Sequence, residues 1–146
     1  MSVSGVAAFD KTLQITNIWL DEIMEHQGPD RQRAWHILSA VLHTIRDRLT
    51  ADLAAHLSAQ LPLLVRGAYY DQYEPSKQPT RSRTADEFLS QVEDELAFTR
   101  PVDVKEAAQT VFHVLSHHLD PGEVRKVREA LPEDVRALWP DPSIRH

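Results

Sequence analysis

Histidine has the most chemistry to offer in this 146-residue chain, which carries eight of them and no cysteine. His113 and His117 stand four apart, so on a helix their imidazoles share a face. That is the spacing of helical zinc ligands. Val114 follows His113 where a zinc-dependent protease carries its glutamate, so that pattern is absent. His43 and Asp47 share the four-residue spacing. Brought together from two helices, His43, Asp47, His113 and His117 would make a four-ligand metal site. Solvation is the simpler account and the favoured one. On a helical wheel His43 and Asp47 lie opposite Trp35, Leu42 and Leu49, and His113 and His117 lie opposite Phe112 and Leu119. No cofactor is expected.

Arg66 and Arg136 each follow a Leu-Pro pair, four residues after the proline. Two guanidinium forks at matching places could clamp a small anion. They could equally bridge to carboxylates or cap a neighbouring helix, and a scaffold role is preferred. Tyr69, Tyr70 and Tyr73, together with Trp139, are the main aromatic concentration. They are candidate recognition residues, with packing as the competing role. No Gly-x-Ser-x-Gly elbow and no glycine-rich phosphate loop is present.

These side chains must be positioned by helices, and the chain writes its helical plan twice. Shifted by 70 positions, Ala34–Tyr69 lies on Val104–Trp139 with seven identities in 36 positions, where chance gives about two. Val41/Val111, His43/His113, Leu49/Leu119, Leu61-Pro62/Leu131-Pro132 and Val65-Arg66/Val135-Arg136 are the matched pairs. Apolar periodicity predicts helices over 8–26, 30–49, 51–60 and 62–70, then 84–97, 103–119, 121–130 and 132–139. Phe9, Leu13, Thr16, Leu20, Ile23 and Met24 form the inward stripe of the first. Thr50 and Asp120 read as N-caps; Pro121 fits the first helical position, and Glu123 completes a capping box with Asp120. Residues 71–83, with two prolines and no aliphatic side chain, read as a solvated linker. Shortening 75–82 is expected to cost little stability.

The fold expected is all-α: two tandem pseudo-equivalent helical repeats, 1–70 and 84–140, packed into one compact bundle. The linker is 71–83, and 141–146 is a C-terminal tail. A net charge of −6 with dispersed basic residues argues against a nucleic-acid partner. No apolar run reaches the length of a membrane span, and the first residues lack a signal-peptide pattern. The absence of cysteine excludes disulfides, thiolate metal sites and a cysteine nucleophile. A cytoplasmic protein is expected. The excess of arginine over lysine, with abundant alanine, suggests a GC-rich bacterial origin.

The run Leu61-Pro62-Leu63-Leu64-Val65-Arg66-Gly67-Ala68-Tyr69-Tyr70, followed by Arg83-Thr84-Ala85-Asp86-Glu87-Phe88-Leu89, resembles the bacterial family known as domain of unknown function 2267. Phe9-Asp10-Lys11-Thr12, Asp30-Arg31-Gln32-Arg33-Ala34 and Leu138-Trp139-Pro140 support the resemblance, which spans about 8–140. Gln72-Tyr73 stands where the family often has Gly-Trp. The resemblance implies an all-α bacterial protein and no established activity. From the residues themselves the expected role is a non-enzymatic interaction module that binds a protein partner or itself. The alternative is a metal- or small-anion-binding protein using the His/Asp set or the arginine pair.

Overall fold

Helix boundaries follow the capping chemistry closely. The computed structural model of the chain describes residues 3–141, so the expected tail lies, apart from Asp141, outside the described residues. All regular structure among them is helical: α1 (Ala7–Gln27), α2 (Arg31–Arg46), α3 (Ala51–Gln60), α4 (Leu63–Tyr70), α5 (Ala85–Glu95), α6 (Val104–His118), α7 (Pro121–Ala130) and α8 (Glu133–Arg136), with one 3₁₀ turn at Pro75–Lys77. Asp30, Thr50, Thr84, Asp103 and Asp120 each accept a backbone N–H of the following turn through the side chain. Such caps satisfy amides that have no partner inside the helix. The reciprocal capping box forms at Thr84–Glu87. At Asp120–Glu123 only the aspartate half is made, and Glu123 Oε1 is buried without a hydrogen bond. Pro62 and Pro132 sit at the N-cap, one residue earlier than expected. Their carbonyls accept from Arg66 N and Arg136 N at 2.8 and 2.9 Å.

Helices α2 and α6 form the centre. α2 packs on α1, α4, α5 and α6, and α6 packs on α1, α2, α5 and α7. α3 lies against α4 and α7, and α8 bridges α5 and α7. The core joins Trp19, Ile23, Ile37, Leu38, Leu42 and Ile45 to Val65, Tyr69, Phe88, Val111, Phe112 and Trp139. An aromatic stack ties the second half together: Phe112 lies 4.7 Å from Trp139 with the rings parallel to within 3°, and 5.8 Å from Phe88.

Two expectations are corrected here. Phe9 and Leu13 continue the apolar stripe of α1, yet they are 56 % and 48 % exposed. The buried set of α1 is Thr12, Thr16, Trp19, Leu20 and Ile23, so Thr12 and Thr16 face inward while Phe9 and Leu13 stay uncovered. Residues 71–83 are also more than a solvated linker. Thr80 N donates to Asp47 O, and Ser82 Oγ accepts from Arg48. The second half of the segment is therefore fastened to the end of α2, and shortening it would break those contacts. No helix among the described residues is long and apolar enough to cross a membrane.

Candidate functional site

Buried polar side chains, His43 and Arg46 on α2 and Arg48 just past it, gather at the C-terminal end of the helix. His43, expected on a solvated face, is only 7 % exposed. Its Nδ1 lies 2.6 Å from Glu95 Oε1 on α5, and its Nε2 lies 2.6 Å from Ala68 O on α4. A carbonyl only accepts, so Nε2 carries a proton, and the second nitrogen shares its proton with a carboxylate. Burial pushes the imidazole pKa down. The hydrogen bond to Glu95, the Ala68 carbonyl and the Glu95 charge push it up and prevail, leaving it above its ordinary value. With both nitrogens in use, His43 has no lone pair to offer a metal or a substrate.

Arg46 and Arg48 flank this pair and are also buried. Arg46 donates through Nη1 to Tyr69 O and Asp71 O, the carbonyls that end α4, and through Nε to Asp47 Oδ1. Its guanidinium lies 5.1 Å from the Tyr73 ring centre. Arg48 donates to Thr44 O, Gln91 Oε1 and Ser82 Oγ and covers the Phe88 ring. Gln91 returns a bond to Asp47 Oδ2. A cleft of about 600 Å³ opens over Arg46, Asp47, Tyr73, Gln91 and Glu95. A second, of about 460 Å³, opens over Trp35, His36, Ala68 and Phe98. The His43–Glu95 pair is the wall between them.

The arginine pair occupies matching corners. Arg66 donates from Nε to Ser58 O and from Nη2 to Leu61 O. Arg136 donates from Nε to Arg128 O and from Nη2 to Leu131 O and Glu129 O. Each guanidinium thus caps the carbonyl end of the preceding helix, α3 or α7, which a cation favours. Replacing Arg66 with alanine is expected to cost about 1–2 kcal/mol, and Arg136→Ala about the same. Lysine at either place should recover little, because one ammonium cannot span two carbonyls in a fixed fork. Urea denaturation of the four variants checks this; a lysine variant as stable as the parent would contradict the capping role.

The aromatic candidates divide. Tyr69 and Trp139 are core residues: the Tyr69 hydroxyl donates to Ala54 O, and Trp139 Nε1 donates to Ser116 Oγ. Burial, then the neighbouring Tyr70 and Tyr73, pushes the Tyr69 phenol far above its usual range. Tyr70 is exposed at its edge and donates to Ser58 Oγ. Tyr73 tilts against Tyr70 at 5.8 Å, and its buried hydroxyl has no hydrogen-bond partner.

The metal candidates divide too. His43 and Asp47 belong to the network just described, and His113 points out from α6. His117 meets a residue that periodicity did not single out. Its Nδ1 lies 2.5 Å from Glu22 Oε1, and His118 Nε2 contacts Glu22 Oε2. Among the described residues, Glu22, His117 and His118 form the one group of three histidine or acidic side chains whose ligand atoms lie within 4.8 Å of one another. Glu22 lies 95 residues upstream on α1, so nothing local in sequence marks it. The doublet His117-His118 at the end of a helix was the only available signal.

The class that the fold and its central polar network define is that of an all-helical domain. The family model described as an uncharacterized conserved protein (DUF2267) matches residues 16–138. The chain belongs to the DUF2267 family. No curated protein matches it.

Proposed function

We propose that this protein is a non-enzymatic interaction module, made of two copies of one helical unit, that docks a protein partner or a second copy of itself over the bare half of α1. The observation that carries the reading is the uncovered apolar stripe. Leu20 and Met24 pack at the C-terminal half of α1, while Val6, Phe9 and Leu13 on its N-terminal half are exposed. Leu64 N donates to Thr12 Oγ1, so the start of α4 is pinned against that same stretch. Leu63 and Leu64 there are exposed as well. A shallow groove of about 620 Å³ runs along Ala7, Asp10, Lys11, Leu13 and Gln14. Contiguous exposed apolar surface with a polar rim marks association sites on soluble proteins.

The doubling is supported by matched local structure. α3 and α7 are both ten residues long and begin 70 positions apart. Arg66 and Arg136 bind carbonyls that are themselves 70 apart, Ser58 and Arg128, and Leu61 and Leu131. On this reading 1–70 and 84–140 are the two units and 71–83 joins them. It also gives α1, which has no bare counterpart on the shorter α5, a role the second unit lacks.

Sedimentation velocity over a wide concentration range tests self-association, and a photo-crosslinking residue at position 9 tests a foreign partner in cells that make the protein. Concentration-dependent mass growth abolished by Phe9→Glu with Leu13→Glu, or a crosslinked band specific to position 9, is expected. A monomer at every concentration, with crosslinks no stronger at position 9 than at position 129, would overturn the reading.

A further inference from the structure

We infer that Glu22, His117 and His118 form a binding site for a late first-row divalent cation, with zinc the first to test. The inference stands apart from the docking surface on α1, whose residues it does not use. Two imidazole nitrogens and one carboxylate oxygen are the donor set such ions prefer, whereas magnesium and calcium select oxygen alone. The three side chains come from two packed helices: Glu22 from the second half of α1, and His117 and His118 from the last turn of α6. Both carboxylate oxygens are directed at ring nitrogens, Nδ1 of His117 and Nε2 of His118.

The geometry suits one ion. A tetrahedral zinc with bonds of about 2.1 Å holds its ligand atoms about 3.4 Å apart. The three atoms lie within 4.8 Å of one another, so small side-chain rotations admit the ion. The rings are held in place beforehand. His118 stacks on the buried Trp19, centroids 5.2 Å apart and planes 18° from parallel, and the two imidazoles lie 4.4 Å apart. The His118 side chain is 23 % exposed and that of His117 is 61 % exposed. The site therefore opens to solvent on the His117 side, where a fourth ligand, water or a donor from a partner, completes the set. His117 was one of the residues singled out by spacing, but its fellow ligands are Glu22 and His118 and not His43, Asp47 or His113.

A bound ion would clamp the end of α6 to α1. The test uses full-length protein purified without a histidine tag and stripped with chelator. It is titrated with Zn²⁺ by calorimetry and with Co²⁺ by visible absorption. One equivalent per chain, the visible bands of a low-coordinate cobalt centre and a higher melting temperature with zinc are expected. Glu22→Gln and His118→Gln should each weaken binding at least tenfold, while His113→Gln, one turn earlier on the exposed side of α6, should leave it unchanged. Circular dichroism confirms that each variant is folded. No stoichiometric binding by the parent protein, or equal affinity in the His117→Ala/His118→Gln double variant, would overturn the inference.

Discussion

Replacing Arg46 with alanine is expected to destabilise the protein by about 3–5 kcal/mol, a large part of the stability of a domain this size. Arg46 is 3 % exposed, and its guanidinium satisfies three acceptors at once: the carbonyls of Tyr69 and Asp71 and the Asp47 carboxylate. Its loss leaves two carbonyls at the end of α4 unpaired and Asp47 without its cation. A buried acceptor that loses its donor costs the desolvation it can no longer recover. Arg46→Lys should regain only part of this, since an ammonium cannot serve two carbonyls and a carboxylate in the plane that covers Tyr73. The signature in urea is a lower midpoint with an unchanged slope. A loss below about 1 kcal/mol would mean that water replaces the guanidinium freely and that the network is peripheral.

The same end of α2 shows where sequence reading stops. Helix existence, order and most caps are local properties. Thr50, Thr84 and Asp120 announce their helices through side chains that bond within three residues. The wheel argument that put His43 on a wet face assumed that α2 has one partner. In fact α2 is covered by four helices, so a polar face became an interior one. The residues that make this tolerable are distant in sequence: Glu95 for His43, Tyr69 and Asp71 for Arg46, Ser82 and Gln91 for Arg48. Polar complementarity between residues 23 to 52 positions apart leaves no periodic trace. Phe9 and Leu13 fail in the opposite sense, since periodicity says which way a side chain points but not whether a neighbour stands there. The matched Leu-Pro corners were legible because each is local and each is written twice.

The second large effect concerns pH. The His43 pKa is raised in the folded protein, against an unfolded reference of about 6.5. Above that reference the folded state holds more protons than the unfolded chain, so stability falls as pH rises. The contribution of His43 is thus complete below about pH 6.5 and lost as pH climbs through the folded pKa. Arg46 opposes the shift and Glu95 drives it, so the pair, and not burial, sets its sign. Glu87 acts at the other end of the scale. Hydrogen bonds from Thr84 and from the backbone of Arg83 and Thr84 lower its pKa from 4.5, so its share is present above that value and lost on acidification. His43→Gln should cost about 2–4 kcal/mol near pH 6 through the loss of charge-assisted bonds, and the gap to the parent should narrow toward pH 9. Denaturation curves from pH 5.5 to 9 measure that gap. Should the variant fail to fold, the ring proton resonances of His43 in the parent report its titration directly. A gap that stays constant with pH, or a midpoint below the ordinary histidine value, would show that the ring sits neutral in the folded protein, donating to the Ala68 carbonyl alone.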